Sequence, residues 1–146
     1  MLDTFYVGLF FTILSIAITW FYSLHQNKIA HEQMLKQLFT EFNSRYDLLN
    51  EFLSEIEKNY YNSDLLIDDK RCEILKQKTI DYFNLCAEEY FWYKKKRIDQ
   101  KIWDAWSAGM QHWYKVPAIQ ALWDSEIKES CKSYYITNGN EFFIKN

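Results

Sequence analysis

Residues that interrupt helices are scarce in this sequence. Its 146 residues include three glycines and one proline. Short alternating runs of β-branched residues, which are typical of strands, are also few. This composition predicts an all-α fold with long helices. Aromatic residues make up 19% of the chain, and this content argues against a disordered tether, because disordered segments are poor in the rings that build a core.

Sequence patterns that carry known chemistry are also lacking. The histidines are scattered, and the zinc-protease-like start at His31 fails because Leu35 stands where a second histidine is required. Neither a glycine-rich phosphate loop nor a nucleophile elbow occurs. We therefore predict no catalytic residues, no metal site, no cofactor and no enzymatic activity. Three cysteines that form no CxxC pair are interpreted as buried apolar residues in a reducing compartment: Cys72, Cys86 and Cys131.

Charge is almost absent from the first 24 residues, where Asp3 is the only charged side chain. As a helix, the uncharged stretch Thr4–Leu24 covers about 30 Å, which matches the hydrocarbon core of a bilayer. Tyr6 and Trp20 stand near its ends, where amphipathic rings prefer the headgroup level. A cleaved signal peptide is the weaker interpretation, because a basic n-region and a small-residue cleavage site are lacking. We predict a transmembrane anchor over residues 1–26.

The cations that flank this span predict its orientation. Apart from the amino terminus none precedes it, whereas Lys28 and Lys36 follow it. Because cytoplasmic flanks carry the excess of cations, the N-terminus is expected outside and the C-terminus inside. We expect a single-pass protein of the cell inner membrane, in which residues 27–146 form a cytoplasmic helical domain.

Residues 27–60 contain no proline or glycine and predict a long helix that continues directly from the span. Its apolar residues recur every three or four positions, a pattern typical of coiled coils that Arg45 interrupts. The predicted oligomer seam consists of Leu35, Leu38, Phe42, Leu49, Phe52 and Ile56. A second stripe, which includes Phe39 and Leu53, widens the apolar face, so the helix would face both a sister helix and its own domain. We therefore expect a homo-oligomer.

Residues 68–146 predict a small bundle of shorter helices. Asp68 or Asp69 begins a helix that ends near a run of cations, Asp99 caps the next helix, and Pro117 begins the one after it. The aromatic residues of the C-terminal tail are expected to pack back on this bundle.

Two adjacent carboxylates, Glu88 and Glu89, lie in the first of these shorter helices. They point about 100° apart on a helix, so they cannot form a facing acid/base pair. A buried carboxylate needs a partner such as Arg71, Arg97 or a tryptophan N–H, because an unpaired buried charge is costly. We predict a structural salt bridge here in preference to a ligand contact.

The densest run of charge in the chain supplies the candidate binding site. The predicted ligand-binding residues are Lys94, Lys95, Lys96, Arg97, Trp92 and Trp103. Cations pair with phosphates and aromatic faces stack on bases, so this combination suits an anionic nucleotide. Two other interpretations stay open: a solvated helix end whose charges complement the helix dipole, and contact with lipid headgroups. The second needs the chain to fold back toward the membrane.

Part of the sequence resembles a widespread group of small, uncharacterised bacterial proteins: the block Asn84–Asp99 followed by Ile102, Trp103, Trp106, Gly109, Met110 and Trp123. This resemblance implies one membrane span and a helical cytoplasmic part, without a catalytic assignment. In length and layout the chain is also similar to the small membrane-anchored effector of type III CRISPR defence. That likeness implies cytoplasmic domains that bind cyclic tetra-adenylate as an oligomer.

Together these features predict a non-enzymatic, membrane-anchored helical module that self-associates and binds a protein partner. The alternative is a membrane-anchored receptor or effector that binds an anionic cyclic oligonucleotide signal in bacterial antiphage defence. The two hypotheses differ in whether the cations at 94–97 take part in binding.

Overall fold

A computed structural model describes residues 2–61 and 69–143. Of the described residues 88% are helical and none lies in a strand, so the predicted all-α class is confirmed. The elements in chain order are α1 (Leu2–Tyr61), α2 (Asp69–Lys94), α3 (Gln100–Tyr114), α4 (Pro117–Ser130) and a 3-10 helix (Cys131–Tyr134). Asp68, one of the two predicted helix starts, lies outside the described residues.

The chain divides into two compact units, residues 1–38 and 39–146. The first unit consists of the N-terminal part of α1, which is long and apolar enough to cross a membrane. Its most apolar window of 18 residues has a mean hydropathy of 1.9 and is 0% buried. Large apolar side chains are fully displayed there, as in Phe10, Trp20 and Phe21, which are 62%, 69% and 77% exposed. Such a surface is typical of a helix that contacts lipid.

Hydroxyl groups in this apolar stretch bond to the helix itself. The hydroxyls of Thr12, Ser15 and Thr19 donate to the carbonyl oxygens four residues earlier, at 2.9, 2.8 and 2.8 Å. A polar group without a partner costs several kcal/mol in hydrocarbon, so these bonds suit the stretch to a membrane.

The prediction that the helix continues from the span is confirmed, because α1 runs from Leu2 to Tyr61 without interruption. Two ion pairs join its second half to α2. Arg45 binds Glu88, and Glu55 binds Arg71. Since the residue number falls along α2 as it rises along α1, the two helices are antiparallel. α3 then runs in the direction of α1, because Trp106 contacts Phe42 and Trp113 contacts Tyr46, farther along α1.

Aromatic rings fill the core of the second unit. The Trp123 side chain is 0% exposed, and its ring lies 5.0 Å from Phe83, 5.1 Å from Phe142 and 4.9 Å from Phe143, centroid to centroid. Edge-to-face and tilted contacts of this kind add stability beyond the buried area. The expectation that the tail packs back on the bundle is confirmed for Phe142 and Phe143, whereas Tyr135 is 61% exposed.

The predicted helix boundaries after residue 90 agree with the structure. α2 ends at Lys94, and Pro117 is the first residue of α4. The Asp99 carboxylate accepts a hydrogen bond of 3.0 Å from the Ile102 N–H, so Asp99 caps α3 as predicted.

Candidate functional site

The predicted ligand-binding cations lie where α2 ends and the chain turns. The Arg97 N–H donates to the Trp92 carbonyl at 3.0 Å, and the Lys96 N–H donates to the Tyr93 carbonyl at 2.8 Å. Lys96 has a left-handed backbone with φ of 56°. These two bonds and this conformation form the Schellman motif that closes many helices, usually with glycine in place of Lys96. The turn leaves all four cations exposed, and we refer to Lys94, Lys95, Lys96 and Arg97 as the basic end.

Two cations of the basic end lie over aromatic rings. Lys94 Nζ is 5.6 Å from the Tyr90 ring centroid, and Lys95 Nζ is 5.5 Å from that of Phe91. Cation–π contacts at exposed sites contribute modestly and leave the ammonium groups in water. The cations therefore stay available to an anionic partner.

The two predicted tryptophans differ in their accessibility. Trp103 is 8% exposed and stacks on Tyr93 with centroids 4.6 Å apart and planes 10° apart. Tyr90 contacts the same indole at 5.6 Å. Because these rings cover it, Trp103 is part of the core and is not free to stack on a base. Trp92 is only half-buried, with its edge against Phe91.

A cleft of about 500 Å³ adjoins the basic end and is lined in part by Lys94, Lys96 and Asp99. Asp99, whose carboxylate caps α3, contributes one negative charge to the lining. The cleft therefore combines cations with one carboxylate, and it lacks the buried polar donors that hold a small anion tightly.

The predicted oligomer seam is wrong in its central part. Phe42 is 1% exposed and Leu49 is 7% exposed, because the helices of the same chain cover this face of α1. Phe42 packs edge-on against Trp106 of α3. Phe52 and Ile56 are half-buried, and the Phe52 ring faces the guanidinium of Arg71 at 5.4 Å. Phe42 and Leu49 therefore belong to the interior of the bundle and are not available to a sister helix. Phe52 and Ile56 are covered only in part.

The two remaining seam residues, Leu35 and Leu38, lie in the first unit and are half-exposed. They stay candidates for contact with a second copy. Leu53, from the second predicted stripe, is 0% exposed, whereas Phe39 is 44% exposed. Both predicted stripes thus contribute to one broad face that packs on the chain's own helices.

Arg45, which the sequence pattern presents as an interruption, is the partner of Glu88. Its two terminal nitrogens donate to the two carboxylate oxygens at 2.6 and 3.0 Å. The Glu88 carboxylate raises the pKa of Arg45. A structural salt bridge therefore exists in this part of α2, but it forms at the half-buried Glu88 and not at the buried carboxylate for which it was predicted, and with a partner that sequence reasoning missed. Of the two arginines that were predicted as partners, Arg71 binds Glu55 instead.

Glu89 is the buried one of the two adjacent carboxylates, with 6% exposure. Burial raises its pKa to about 8, with a further rise from Glu88 and an opposing effect from Arg45. The neighbouring Cys86 is 0% exposed, and burial also raises the pKa of its thiol. This part of the core therefore favours neutral side chains at pH 7.

A second surface, which sequence reasoning missed, lies between α1, α2 and the 3-10 helix. It is a groove of about 450 Å³ that we call the α1–α2 groove, and its main lining residues are Arg45, Leu48, Lys78, Asp81, Glu88 and Tyr135. Leu48 is 72% exposed, and Tyr135 is 61% exposed with a left-handed φ of 57°. A bulky residue adopts that conformation at a cost, so the tail turn holds the Tyr135 ring at the surface against strain.

The interpretation of the cysteines is corrected in part. Cys86 is buried as expected, whereas Cys72 is exposed and Cys131 is half-buried. Within residues 2–61 and 69–143, no group of three His, Cys, Asp or Glu side chains is placed to hold a metal ion. No metal centre is therefore assigned among the described residues. The exposed cations of the basic end are the surface that an anionic partner could contact.

Comparison of the chain with known protein families, curated proteins and solved structures finds no match to any of them. The resemblance suggested by the block Asn84–Asp99 therefore stays a prediction.

Proposed function

We propose that this protein is a non-enzymatic, single-pass membrane-anchored module whose helical bundle self-associates and binds a protein partner. The observation that carries the proposal is the wholly exposed apolar part of α1, which has the length and hydropathy of a membrane span. A bundle with its own aromatic core, residues 39–146, follows on the same helix. A span that continues as a helix into a bundle is the layout of an anchored module.

The proposed orientation is N-out and C-in, in the inner membrane. It is supported by Lys28 and Lys36, which follow the span, because cations are in excess on cytoplasmic flanks. The exposed thiol of Cys72 suits a reducing compartment.

Two measurements on the full chain test this anchoring. In bacterial membranes, the protein should resist alkaline carbonate extraction. A membrane-impermeant thiol reagent should label Cys72 only after the cells are lysed, whereas a Thr4→Cys variant should be labelled in intact spheroplasts. Release by carbonate would contradict the anchor, and labelling of Cys72 in intact spheroplasts would contradict the orientation.

For self-association, the α1–α2 groove is the better candidate now that the core covers the middle of the predicted seam. Leu48 and Tyr135 offer apolar surface at its rim, and the ion pairs Arg45–Glu88 and Lys78–Asp81 offer both signs of charge. A two-fold interface needs such a self-complementary patch, in which one residue of each copy meets a different residue of the other. Confinement to one membrane raises the effective concentration of the copies. We infer that the occupant of the groove is a second copy, with Leu48 of one against Tyr135 of the other.

Cysteine cross-linking in membranes tests this arrangement. In a Cys72→Ser background, co-expressed Leu48→Cys and Tyr135→Cys chains should form a disulfide-linked dimer under mild oxidation. Ala105→Cys, exposed on α3 and outside the groove, is the matched control and should not cross-link to either. A chain that sediments as a monomer in detergent and gives no groove-specific cross-link would contradict the proposal.

The alternative, a receptor for an anionic cyclic oligonucleotide in antiphage defence, stays a prediction. The four exposed cations favour it, but the covered ring of Trp103 offers no stacking face. Native mass spectrometry of the full chain with cyclic tetra-adenylate tests it, and a bound species that disappears when Lys94, Lys95, Lys96 and Arg97 are changed to Glu would favour the receptor.

A further inference from the structure

The fold carries the basic end back along α1. Because Arg45 binds Glu88, these two residues lie at the same height along the antiparallel helices α1 and α2. Six residues separate Glu88 from Lys94, and six separate Arg45 from Phe39, which is about 9 Å along each helix. Lys94 therefore lies level with Phe39, at the end of the bundle that α1 enters. Sequence alone left open whether the cations lie at this end or the opposite one.

The length of α1 limits how far this end can lie from the membrane. Fifteen residues separate Leu24, the last residue of the uncharged stretch, from Phe39, and as helix they cover about 22 Å whatever the relative orientation of the two units. The headgroup layer occupies roughly 5–7 Å beyond the hydrocarbon. An extended lysine side chain reaches out by roughly 6 Å, since each bond of its four-carbon stem adds length. A gap of at most about 10 Å then remains, which is close to the Debye length of about 8 Å at physiological salt.

Positive charge prevails at this end of the bundle. Lys101 is exposed one turn beyond the four cations. Carboxylates also lie near this end. Asp99 accepts the Ile102 N–H, and Asp104 accepts a bond of 2.7 Å from the Gln100 amide. Glu141 accepts the Tyr90 hydroxyl, and Glu41 lies 3.8 Å from Arg45. The chain after Asp3 carries a net charge of −2, so an excess of cations at one end means that the rest of the domain is more negative. An anionic surface would therefore orient the domain with the basic end toward it.

The exposed groups at this end suit lipid headgroups better than a stacked ligand. Headgroup contact needs exposed cations and amphipathic rings such as the half-buried Trp92. A bound nucleotide needs a free aromatic face, and Trp103 is covered by Tyr93. Lys96 occupies a turn position that favours glycine, so an exposed cation stands in this turn despite its strained backbone.

From these observations we propose that the basic end docks on the anionic headgroups of the membrane that the anchor crosses. Docking would hold the bundle against the leaflet in one orientation. This inference rests on the proposed membrane anchoring, because the anchor keeps the basic end near the membrane, which four cations alone would not do.

Lysine labelling of the full chain in lipid nanodiscs tests the docking. An amine reagent is applied in discs of phosphatidylcholine, with or without phosphatidylglycerol, and labelling of Lys94, Lys95 and Lys96 is measured by mass spectrometry relative to Lys58. Phosphatidylglycerol should lower the relative labelling of the basic end severalfold, and added salt should restore it. Equal labelling in the two kinds of disc would overturn the docking. Failure of the chain to enter the discs would instead overturn the anchoring.

A variant with fewer cations tests which groups are responsible. Lys95→Gln, Lys96→Gln and Arg97→Gln are combined, and Lys94 and Lys101 are kept as reporters, whose protection should be lost. The control removes three exposed cations away from the basic end and keeps Lys58 as the reference: Lys70→Gln, Lys76→Gln and Lys115→Gln. This control should keep the protection, and equal behaviour of the two variants would overturn the assignment. Protection that inorganic phosphate produces in phosphatidylcholine discs would show that the run binds free anions and would also overturn it.

Discussion

Arg45 and Glu88 meet in two parallel hydrogen bonds although 43 residues separate them in the sequence. A guanidinium that binds both oxygens of a carboxylate holds one relative orientation, so the pair sets α1 and α2 in register. The two side chains are 34% and 35% exposed, and water therefore screens part of their attraction. The same pair lines the α1–α2 groove and places the basic end level with Phe39.

Replacement of Arg45 by leucine should lower the free energy of unfolding of the bundle by about 1 kcal/mol, because Glu88 loses its bidentate partner. Thermal unfolding of the full chain in detergent, followed by circular dichroism, measures the change. Lys78→Leu is the control, since Lys78 pairs with Asp81 within one helix turn, and its loss should cost only about 0.3–0.5 kcal/mol. A more stable and more strongly associated Arg45→Leu variant would instead support the coiled-coil seam.

The buried carboxyl of Glu89 should make stability depend on pH. Its pKa is raised by burial from 4.5 to about 8, so the folded state favours the protonated form. The contribution of Glu89 to the free energy of unfolding is therefore greatest below pH 4.5, falls as the pH rises, and reaches its lowest value above about pH 8. Glu89→Gln removes this titration, so the variant should become more stable than the parent by up to about 1.4 kcal/mol per pH unit between these two limits.

Denaturant unfolding of the parent and the Glu89→Gln variant at pH 5, 7 and 9 measures this dependence. Glu73→Gln, which changes an exposed carboxylate on the same helix, should leave the pH profile unaltered. A difference between parent and Glu89→Gln that stays constant with pH would contradict the assignment of the titration to Glu89.

The backbone of Lys96 should be relieved by glycine. Lys96 has a φ of 56° at the position where helices usually carry glycine, and a left-handed conformation costs a residue with a side chain about 1 kcal/mol or more. Lys96→Gly should therefore raise the unfolding temperature. Lys94→Gly removes the same charge from the last helical position of α2 and should destabilise by up to about 1 kcal/mol. If Lys96→Gly and Lys94→Gly changed the stability equally, the lost charge and not the backbone conformation would account for the change.

Two glycines should respond in opposite ways to alanine. A Cβ at Gly139 would overlap with Cδ1 of Ile127, and the Gly139 carbonyl accepts the Trp123 indole N–H at 3.1 Å. Gly139→Ala should thus loosen the tail and destabilise by about 1 kcal/mol. Gly109 lies inside α3 with open space around its Cα, so Gly109→Ala should stabilise by about 0.5–1 kcal/mol. Unfolding curves of the two variants with the same sign of change would contradict this packing.

The predictions from sequence succeeded where a few neighbouring residues decide the outcome. The Asp99 cap, the start of α4 at Pro117 and the end of α2 at Lys94 all depend on contacts within one helix turn. They failed where a face of α1 was assigned to a sister helix. An apolar stripe indicates that a face of the helix is buried but not what covers it, and Phe42 and Leu49 are covered by their own chain.

The sequence by itself determined the helical class and the apolar, uncharged stretch that can span a membrane, because hydropathy and helix propensity act residue by residue. Only the tertiary structure decided which charges pair and which rings are covered. Arg45 binds Glu88, which lies 43 residues away in the sequence, and the Trp113 indole donates to the Tyr46 hydroxyl, which lies 67 residues away. Such contacts depend on how the helices fold back on one another. That same folding brings the basic end to the end of the bundle that α1 enters.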